Sequence, residues 1–103
     1  MIRISVLGYI EDDKWIAHAL DMDLTGRGVT FEAALEELEG LISSKVQVAK
    51  EKGDASLVFH KAPDKYWQLF DRQRTEQVAA LFANEDLQHP EYRATNLSLV
   101  SFI

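Results

Sequence analysis

The sequence predicts a single α+β domain in which a three-stranded antiparallel meander is covered by one long amphipathic helix. Three observations lead to this fold class. The first thirty residues hold three short β-compatible runs separated by turn-forming residues. An uninterrupted helical pattern of apolar residues follows over about residues 31–52. The chain has 103 residues, the usual size of one domain with one core.

The first two strands are predicted to form a hairpin. Apolar and mostly polar side chains alternate over residues 2–10, the period of two that is typical of a strand. Polar turn formers at 11–14 separate this run from a second one at 15–20. A third run at 25–30 contains Gly26 and Gly28, so we expect a strand that is bulged or closely approached by other backbone.

The amphipathic helix is predicted at about residues 31–52. Thr30 is a good N-cap, and Glu32 places a negative charge at the positive end of the helix. Gly53 offers a left-handed stop. The apolar side chains that recur with helical spacing are Phe31, Ala34, Leu35, Leu38, Leu41, Ile42, Val46 and Ala49.

The last third of the chain carries weaker signals. Residues 56–60 are compatible with a short strand, and Pro63 suits the first turn of a helix that carries Tyr66, Trp67, Leu69 and Phe70. A further helix is predicted from Thr75, with Val78, Leu81 and Phe82 on one side. His89-Pro90 marks a break, and residues 96–103 predict a closing strand. We interpret the chain as one domain, 1–103, with a core at 1–60 and a C-terminal extension at 61–103 that contributes a helical insertion and the closing strand.

The composition is that of an ordinary folded chain without cysteine. Hydrophobic residues make up 47% and charged residues 27%, so neither a disordered nor a fibrous class fits. The lack of cysteine excludes disulfides, thiol catalysis and thiolate zinc sites, and it leads us to expect a reducing, cytoplasmic location. No run resembles a secretion signal or approaches the roughly 20 apolar residues of a membrane span, so no membrane association is expected.

The charge is acidic and unevenly distributed. Lys and Arg total 11 against 17 Asp and Glu, a formal net charge of -6, which disfavours direct binding to a nucleic-acid backbone. Nine of the acidic residues fall between positions 11 and 39, where the only bases are Lys14 and Arg27. A concentration of negative charge favours a basic partner or a cation, although a solvated helix face with acidic turns would give the same pattern.

The acidic residues do not form a recognisable metal motif. Those that could in principle hold Mg²⁺ or Ca²⁺ are Asp12, Asp13, Asp21, Asp23 and Glu32. Calcium-loop spacing is absent, and acids on a hairpin turn and after a strand do not predict the convergence that a two-metal nuclease needs. We therefore predict no metal site.

The histidines are equally uninformative about catalysis. His18, His60 and His89 fall in three separate elements without a paired spacing, so we interpret each as structural. No cofactor-binding motif or local nucleophile motif is present, and we predict no cofactor and no enzymatic activity.

Residues 15–38 (WIAHALDMDLTGRGVTFEAALEEL) resemble the HicB-like antitoxin domain family. Members have a strand that ends in an acidic stretch, a short strand that often carries glycine, and a threonine before a helix that opens with an acidic residue, alanine and leucine. Here these features fall at Asp21, Asp23, Gly26, Gly28, Thr30, Glu32, Ala34 and Leu35. The resemblance covers about residues 2–50.

The resemblance implies a partial ribonuclease-H-like fold: a three-stranded meander, a helix packed across it, and a fourth strand beside the first. Either 56–60 or 96–102 could supply that fourth strand. It also implies an antitoxin that forms a homo-oligomer and binds a small basic RNA-cleaving toxin of the HicA type. Residues 61–103 lack the basic recognition helix or strand with which such antitoxins usually bind DNA.

The leading hypothesis is therefore a non-enzymatic HicB-like antitoxin, or an orphan relative, that acts by protein-protein binding. The residues predicted to contact the partner are Asp12, Asp13, Trp15, Asp21 and Asp23. Two alternatives stay open: a metal-dependent nuclease on a ribonuclease-H-like sheet, and a small regulatory module with an unidentified ligand.

Overall fold

The computed structural model, which describes residues 2–85 and 91–103, is built on a four-stranded antiparallel sheet. Its strands are β1 (Arg3–Glu11), β2 (Lys14–Ala19), β3 (Leu24–Gly28) and β4 (Tyr92–Ser98). They lie in the order β3-β2-β1-β4, so the last strand pairs with the first. The predicted α+β class, with its meander, covering helix and further strand beside the first, is confirmed.

The long helix, α1 (Phe31–Lys52), has the predicted bounds because both of its ends are specified by local side chains. The Thr30 hydroxyl accepts a hydrogen bond from the Ala33 N–H at 3.1 Å. At the other end Gly53 takes a left-handed conformation, φ 63°, and its N–H donates to the carbonyl oxygens of Ala49 and Lys50 in the last turn of the helix. The apolar stripe of α1 packs on one face of the sheet, and the buried residues of this cluster include Ile4, Val6, Ala17, Ala34, Leu38 and Ile42.

The glycines of β3 let α1 approach the sheet closely. A Cβ on Gly26 would collide with the Ala34 carbonyl oxygen and lie 2.5 Å from the Leu38 nitrogen. A Cβ on Gly28 would lie 2.5 Å from the Ala34 nitrogen. The pairing of β3 with β2 is continuous from Leu24 to Gly28, so the glycines serve the close approach rather than a bulge.

A second helix, α2 (Asp64–Ala83), covers part of the opposite face of the sheet. Two successive helices are predicted over this stretch, but the structure has one. No glycine or proline interrupts residues 64–83, so nothing breaks the backbone hydrogen bonding at Thr75. Phe70 packs with Leu7, Leu20 and Ala62 in a second buried cluster, which leaves the central strand β1 buried on both faces.

The strand expected at 56–60 is not formed. The segment Ala55–Val58 is a short 3-10 helix because the Asp54 carboxylate accepts hydrogen bonds from both the N–H and the hydroxyl of Ser56. The fourth strand therefore comes from the C-terminal part of the chain. It lies at Tyr92–Ser98, about four residues earlier than the predicted closing strand, and a second 3-10 helix at Leu99–Phe102 follows it.

The expected break at His89-Pro90 lies outside the described residues. Within the described ranges, neither helix has the length and apolar character required to cross a bilayer.

Candidate functional site

The β1–β2 hairpin presents two acidic side chains at its tip. Asp12 and Asp13 have φ values of 52° and 63°, and positive φ at both central residues is the requirement of a tight type I′ hairpin turn. Aspartate tolerates this conformation better than most residues. The Asp12 carboxylate is 87% exposed and lies 4.0 Å from the half-exposed Arg27 guanidinium. An exposed pair at this distance is weak, so the tip keeps most of its negative field.

The start of α1 brings further acids to the same end of the sheet. Gly28, the last residue of β3, pairs with Trp15 beside the hairpin tip, and α1 begins at Phe31. Glu37 on α1 reaches back to accept a hydrogen bond from the Arg27 N–H at 3.2 Å. We call the exposed carboxylates gathered here the acidic end: Glu11, Asp12, Asp13, Glu32 and Glu37. Lys14 and Arg27 are the bases that the hairpin and β3 place among them.

Trp15 lies at the border of the acidic end and is partly buried. Its ring meets the Phe31 ring edge to face at 5.8 Å. The Arg93 guanidinium from β4 lies 5.4 Å from the centre of the Trp15 ring and 5.8 Å from that of Phe31. Trp15 therefore supports the hairpin by packing, with a cation over its ring. Sequence reasoning missed Arg93, because the pairing of β4 with β1 that places it there joins distant parts of the chain.

Asp21 lies at the opposite end of β2 and has a structural contact. Its carboxylate accepts a hydrogen bond from the Ser5 N–H at 2.7 Å. Its backbone carbonyl accepts another from the His60 N–H at 2.9 Å. Asp21 thereby ties the loop after β2 both to β1 and to the segment that leads to α2.

Asp23 also makes an internal contact, to a buried histidine. Its Oδ1 lies 2.7 Å from Nε2 of His18, whose side chain is 3% exposed. The other ring nitrogen of His18, Nδ1, lies 3.1 Å from the Tyr9 hydroxyl. A carboxylate only accepts hydrogen bonds, so Nε2 carries a proton, and the Tyr9 hydroxyl, which can donate or accept, is the partner of Nδ1. Both ring nitrogens are thus occupied, and His18 presents no free nitrogen to a substrate.

The surroundings of Tyr9 keep its hydroxyl protonated. Burial is the main cause that raises the pKa of Tyr9 above its ordinary value of 10.0, and the neighbouring Tyr66 and Glu11 raise it further. The Tyr9 and Tyr66 rings stack at 5.8 Å, and Tyr66 also meets the His18 ring at 4.6 Å. Asp23, His18, Tyr9 and Tyr66 therefore form one connected polar and aromatic network.

The five predicted contact residues do not share one surface. β2 has six residues, which at about 3.3 Å each separate its two ends by roughly 20 Å. Asp12, Asp13 and Trp15 come together at the hairpin end, whereas Asp21 and Asp23 lie at the far end and are engaged by Ser5 and His18. The predicted strand at 15–20 already implies this separation, because a regular strand carries the acidic runs before and after it to opposite ends of the sheet.

A shallow groove lies between α2 and the edge of β1 and β4. It has a volume of about 370 Å³, and its lining includes Tyr9, Lys65, Tyr66, Leu69, Arg72 and Tyr92. Its cations and tyrosine rings offer positive charge and hydrogen-bond donors to a small ligand. Sequence reasoning missed this groove, although Lys65, Leu69 and Arg72 have the spacing of one helix face.

The described residues include no set of three histidine or acidic side chains arranged to hold a metal ion. Comparison with protein-family models, with curated proteins and with solved structures gave no match. The function must therefore be inferred from the residues and their geometry.

Proposed function

We propose that this protein is a HicB-like antitoxin, or an orphan relative of one, that binds a small basic RNA-cleaving toxin through protein-protein contacts and has no enzymatic activity of its own. The observation that carries the proposal is the acidic end, where exposed carboxylates from β1, the hairpin tip and α1 converge. The proposal needs no metal and no cofactor.

The fold supports this proposal because it has the order of elements that the resemblance implies. The meander β1–β2–β3 leads directly into α1, and β4 lies antiparallel beside β1. The residues on which the resemblance depends have definite positions in that fold. Thr30 caps α1, and Gly26 allows the close contact of α1 with β3.

The charge of the acidic end supports a basic partner. Some of its carboxylates have defined positions, because Asp12 and Asp13 lie in a two-residue turn and Glu37 accepts a hydrogen bond from the Arg27 N–H. A positioned negative surface attracts a basic protein over long range and accelerates encounter. A toxin that binds RNA phosphates carries the complementary positive charge. If the acidic end occupied the basic surface of the toxin, RNA could no longer bind there.

The geometry narrows the proposed contact surface. Asp21 and Asp23 hold the native structure together, so their carboxylates are poorly available to a partner. The partner would instead contact Asp12 and Asp13, with Trp15 at the border and the acids of α1 beside them.

The test is a binding experiment with any small basic protein that is encoded next to this chain. Isothermal titration should give a complex that weakens as salt is raised, because exposed charge pairs are screened. The double variant D12N/D13N should weaken binding about tenfold, since asparagine keeps the left-handed turn but removes both charges.

The matched control removes two exposed carboxylates elsewhere. E51Q/D64N changes the net charge by the same amount on the far turn of α1 and at the start of α2, and it should leave affinity nearly unchanged. Absence of binding to any basic neighbour, or equal loss in both double variants, would contradict the proposal.

A further inference from the structure

The shallow groove between α2 and the edge of β1 and β4 has three tyrosines in its lining. Tyr9 and Tyr92 are directly opposed in the pairing of β1 with β4, so their side chains lie on the same face of the sheet. Tyr66 of α2 stacks on the Tyr9 ring with 5.8 Å between the ring centroids. The Tyr9 hydroxyl is engaged by Nδ1 of His18 at 3.1 Å, so Tyr9 offers the groove its ring. Because all three tyrosines are partly exposed, a flat ligand can pack against their rings.

Two cations of α2, Lys65 and Arg72, line the same groove and are exposed. They are seven residues apart on one face of the helix, which separates their backbones by roughly 10 Å. Leu69, which is partly buried, lies between them. The Lys65 ammonium lies 5.0 Å from the centre of the Tyr66 ring, over the aromatic part of the lining. Both side chains are long, so their charges can converge on one group above Leu69.

No described acid neutralises these two cations. Within residues 2–85 and 91–103, neither Lys65 nor Arg72 takes part in an ion pair. Glu76 lies one helix turn beyond Arg72 and does not form an ion pair with it. Glu11 is close enough to raise the pKa of Tyr9, but it forms no ion pair with either cation. In a chain with a formal net charge of -6, two such bases beside an aromatic groove favour an anionic group at this place.

We propose that this groove binds a small organic anion that carries an aromatic ring. The ring packs against Tyr9 and Tyr92, and the anionic group lies between Lys65 and Arg72. The amide of Gln68, on the same side of the groove, can form a hydrogen bond with a polar substituent. Aromatic phosphates and aromatic carboxylates share this chemistry.

The size of the groove limits the ligand and its affinity. A volume of about 370 Å³ is within the usual range of small-molecule sites and suits one or two fused rings with an anionic substituent. Because the groove is shallow, a ligand of about fifteen non-hydrogen atoms should bind with a Kd of about 0.1–1 mM. The site does not depend on the antitoxin proposal, because none of its lining residues belongs to the acidic end.

A titration with 1-naphthyl phosphate, followed by NMR of the isotope-labelled protein, tests the site. Saturable shifts are expected at the backbone amides of Ile10, Lys65, Leu69 and Arg72. Inorganic phosphate lacks the rings and 1-naphthol lacks the charge, so each should bind about fivefold more weakly or worse. Equal binding of either compound would overturn the proposal. Shifts confined to residues 74–82 would also overturn it, because they would show adsorption to the exposed apolar side chains of α2.

A double variant tests the two cations. K65Q/R72Q removes both charges but keeps exposed polar side chains, so circular dichroism should be unchanged. It should weaken the binding of 1-naphthyl phosphate about fivefold or more. The matched control, K50Q/K52Q, removes two exposed lysines from the last turn of α1 and should bind the probe as the unmodified chain does.

A ring variant separates stacking from charge. Tyr92→Leu keeps an apolar side chain but removes the ring, so it should weaken 1-naphthyl phosphate about threefold and leave the binding of inorganic phosphate unchanged. Absence of saturable shifts in the unmodified chain, unchanged binding in K65Q/R72Q, or an equal loss in K50Q/K52Q would each overturn the proposal.

Discussion

At the scale of the residue, the Tyr9–His18–Asp23 network shows how buried polar groups are satisfied. His18 packs beneath Tyr66, and both of its ring nitrogens have partners, Tyr9 on one side and Asp23 on the other. A buried polar atom that loses its partner costs about 1–3 kcal/mol. The network is therefore worth more to stability than an exposed ion pair such as Arg27–Asp12.

Tyr9→Phe should lower the free energy of unfolding by about 1–3 kcal/mol, because it leaves Nδ1 of His18 without its hydrogen-bond partner. Urea denaturation at neutral pH measures the change. Tyr92→Phe, which also alters a partly buried tyrosine of the groove but does not contact His18, is the control and should cost less. A loss below about 0.5 kcal/mol in Tyr9→Phe would show that the network is not important for stability.

The same comparison has a definite pH dependence. Because the pKa of Tyr9 is raised in the folded state above 10.0, the stabilisation is fully present below pH 10. As the pH rises further the unfolded chain ionises this tyrosine first, so the stability difference between the unmodified chain and Tyr9→Phe should shrink. A difference that grows between pH 9 and pH 11 would contradict this assignment.

At the scale of the element, the contact of α1 with β3 depends on the absence of side chains in the strand. Gly26 and Gly28 lie against the backbone of α1 itself, at Ala34 and Leu38. A helix cannot yield at its backbone as a flexible side chain can, so a methyl group there must push the two elements apart.

Gly26→Ala should therefore destabilise the protein by about 2 kcal/mol or more, whereas Gly40→Ala should stabilise it by about 0.5–1 kcal/mol. Gly40 lies inside α1 with nothing near the position of a Cβ, so alanine there adds helix propensity at no steric cost. Thermal unfolding of both variants measures the pair of effects. Equal effects of the two substitutions would contradict the close contact of α1 with β3.

At the scale of the whole molecule, the two faces of the sheet are covered unequally. α1 packs mainly against β2 and β3 on one face, whereas α2 packs mainly against β1 and β4 on the other, and none of residues 74–83 is buried. The molecule is correspondingly elongated, 48 × 29 × 24 Å, with a radius of gyration of 14.4 Å against about 13 Å for a compact domain of this size.

Hydrogen exchange should reveal this asymmetry. In dilute solution the amides of residues 75–83 should exchange faster than those of α1, because few buried contacts oppose local opening of this part of α2. Protection of 75–83 equal to that of α1 in dilute solution would contradict the weak anchoring of α2.

The sequence by itself determined the local elements. Period-two alternation, the Thr30 cap, the apolar stripe of α1 and the Gly53 stop each act within a few residues, so the hairpin and α1 could be predicted. Tertiary structure decided the rest. The pairing of Tyr92–Ser98 with β1 joins residues about ninety positions apart. The competing segment at 56–60 does not form a strand, because Asp54 caps a 3-10 helix at Ala55–Val58. The separation of Asp12 and Asp13 from Asp21 and Asp23 follows from the local strand between them. By contrast, only the packing of α1 on the sheet brings Glu37 to Arg27 beside the hairpin tip, because that contact joins elements that local spacing does not relate.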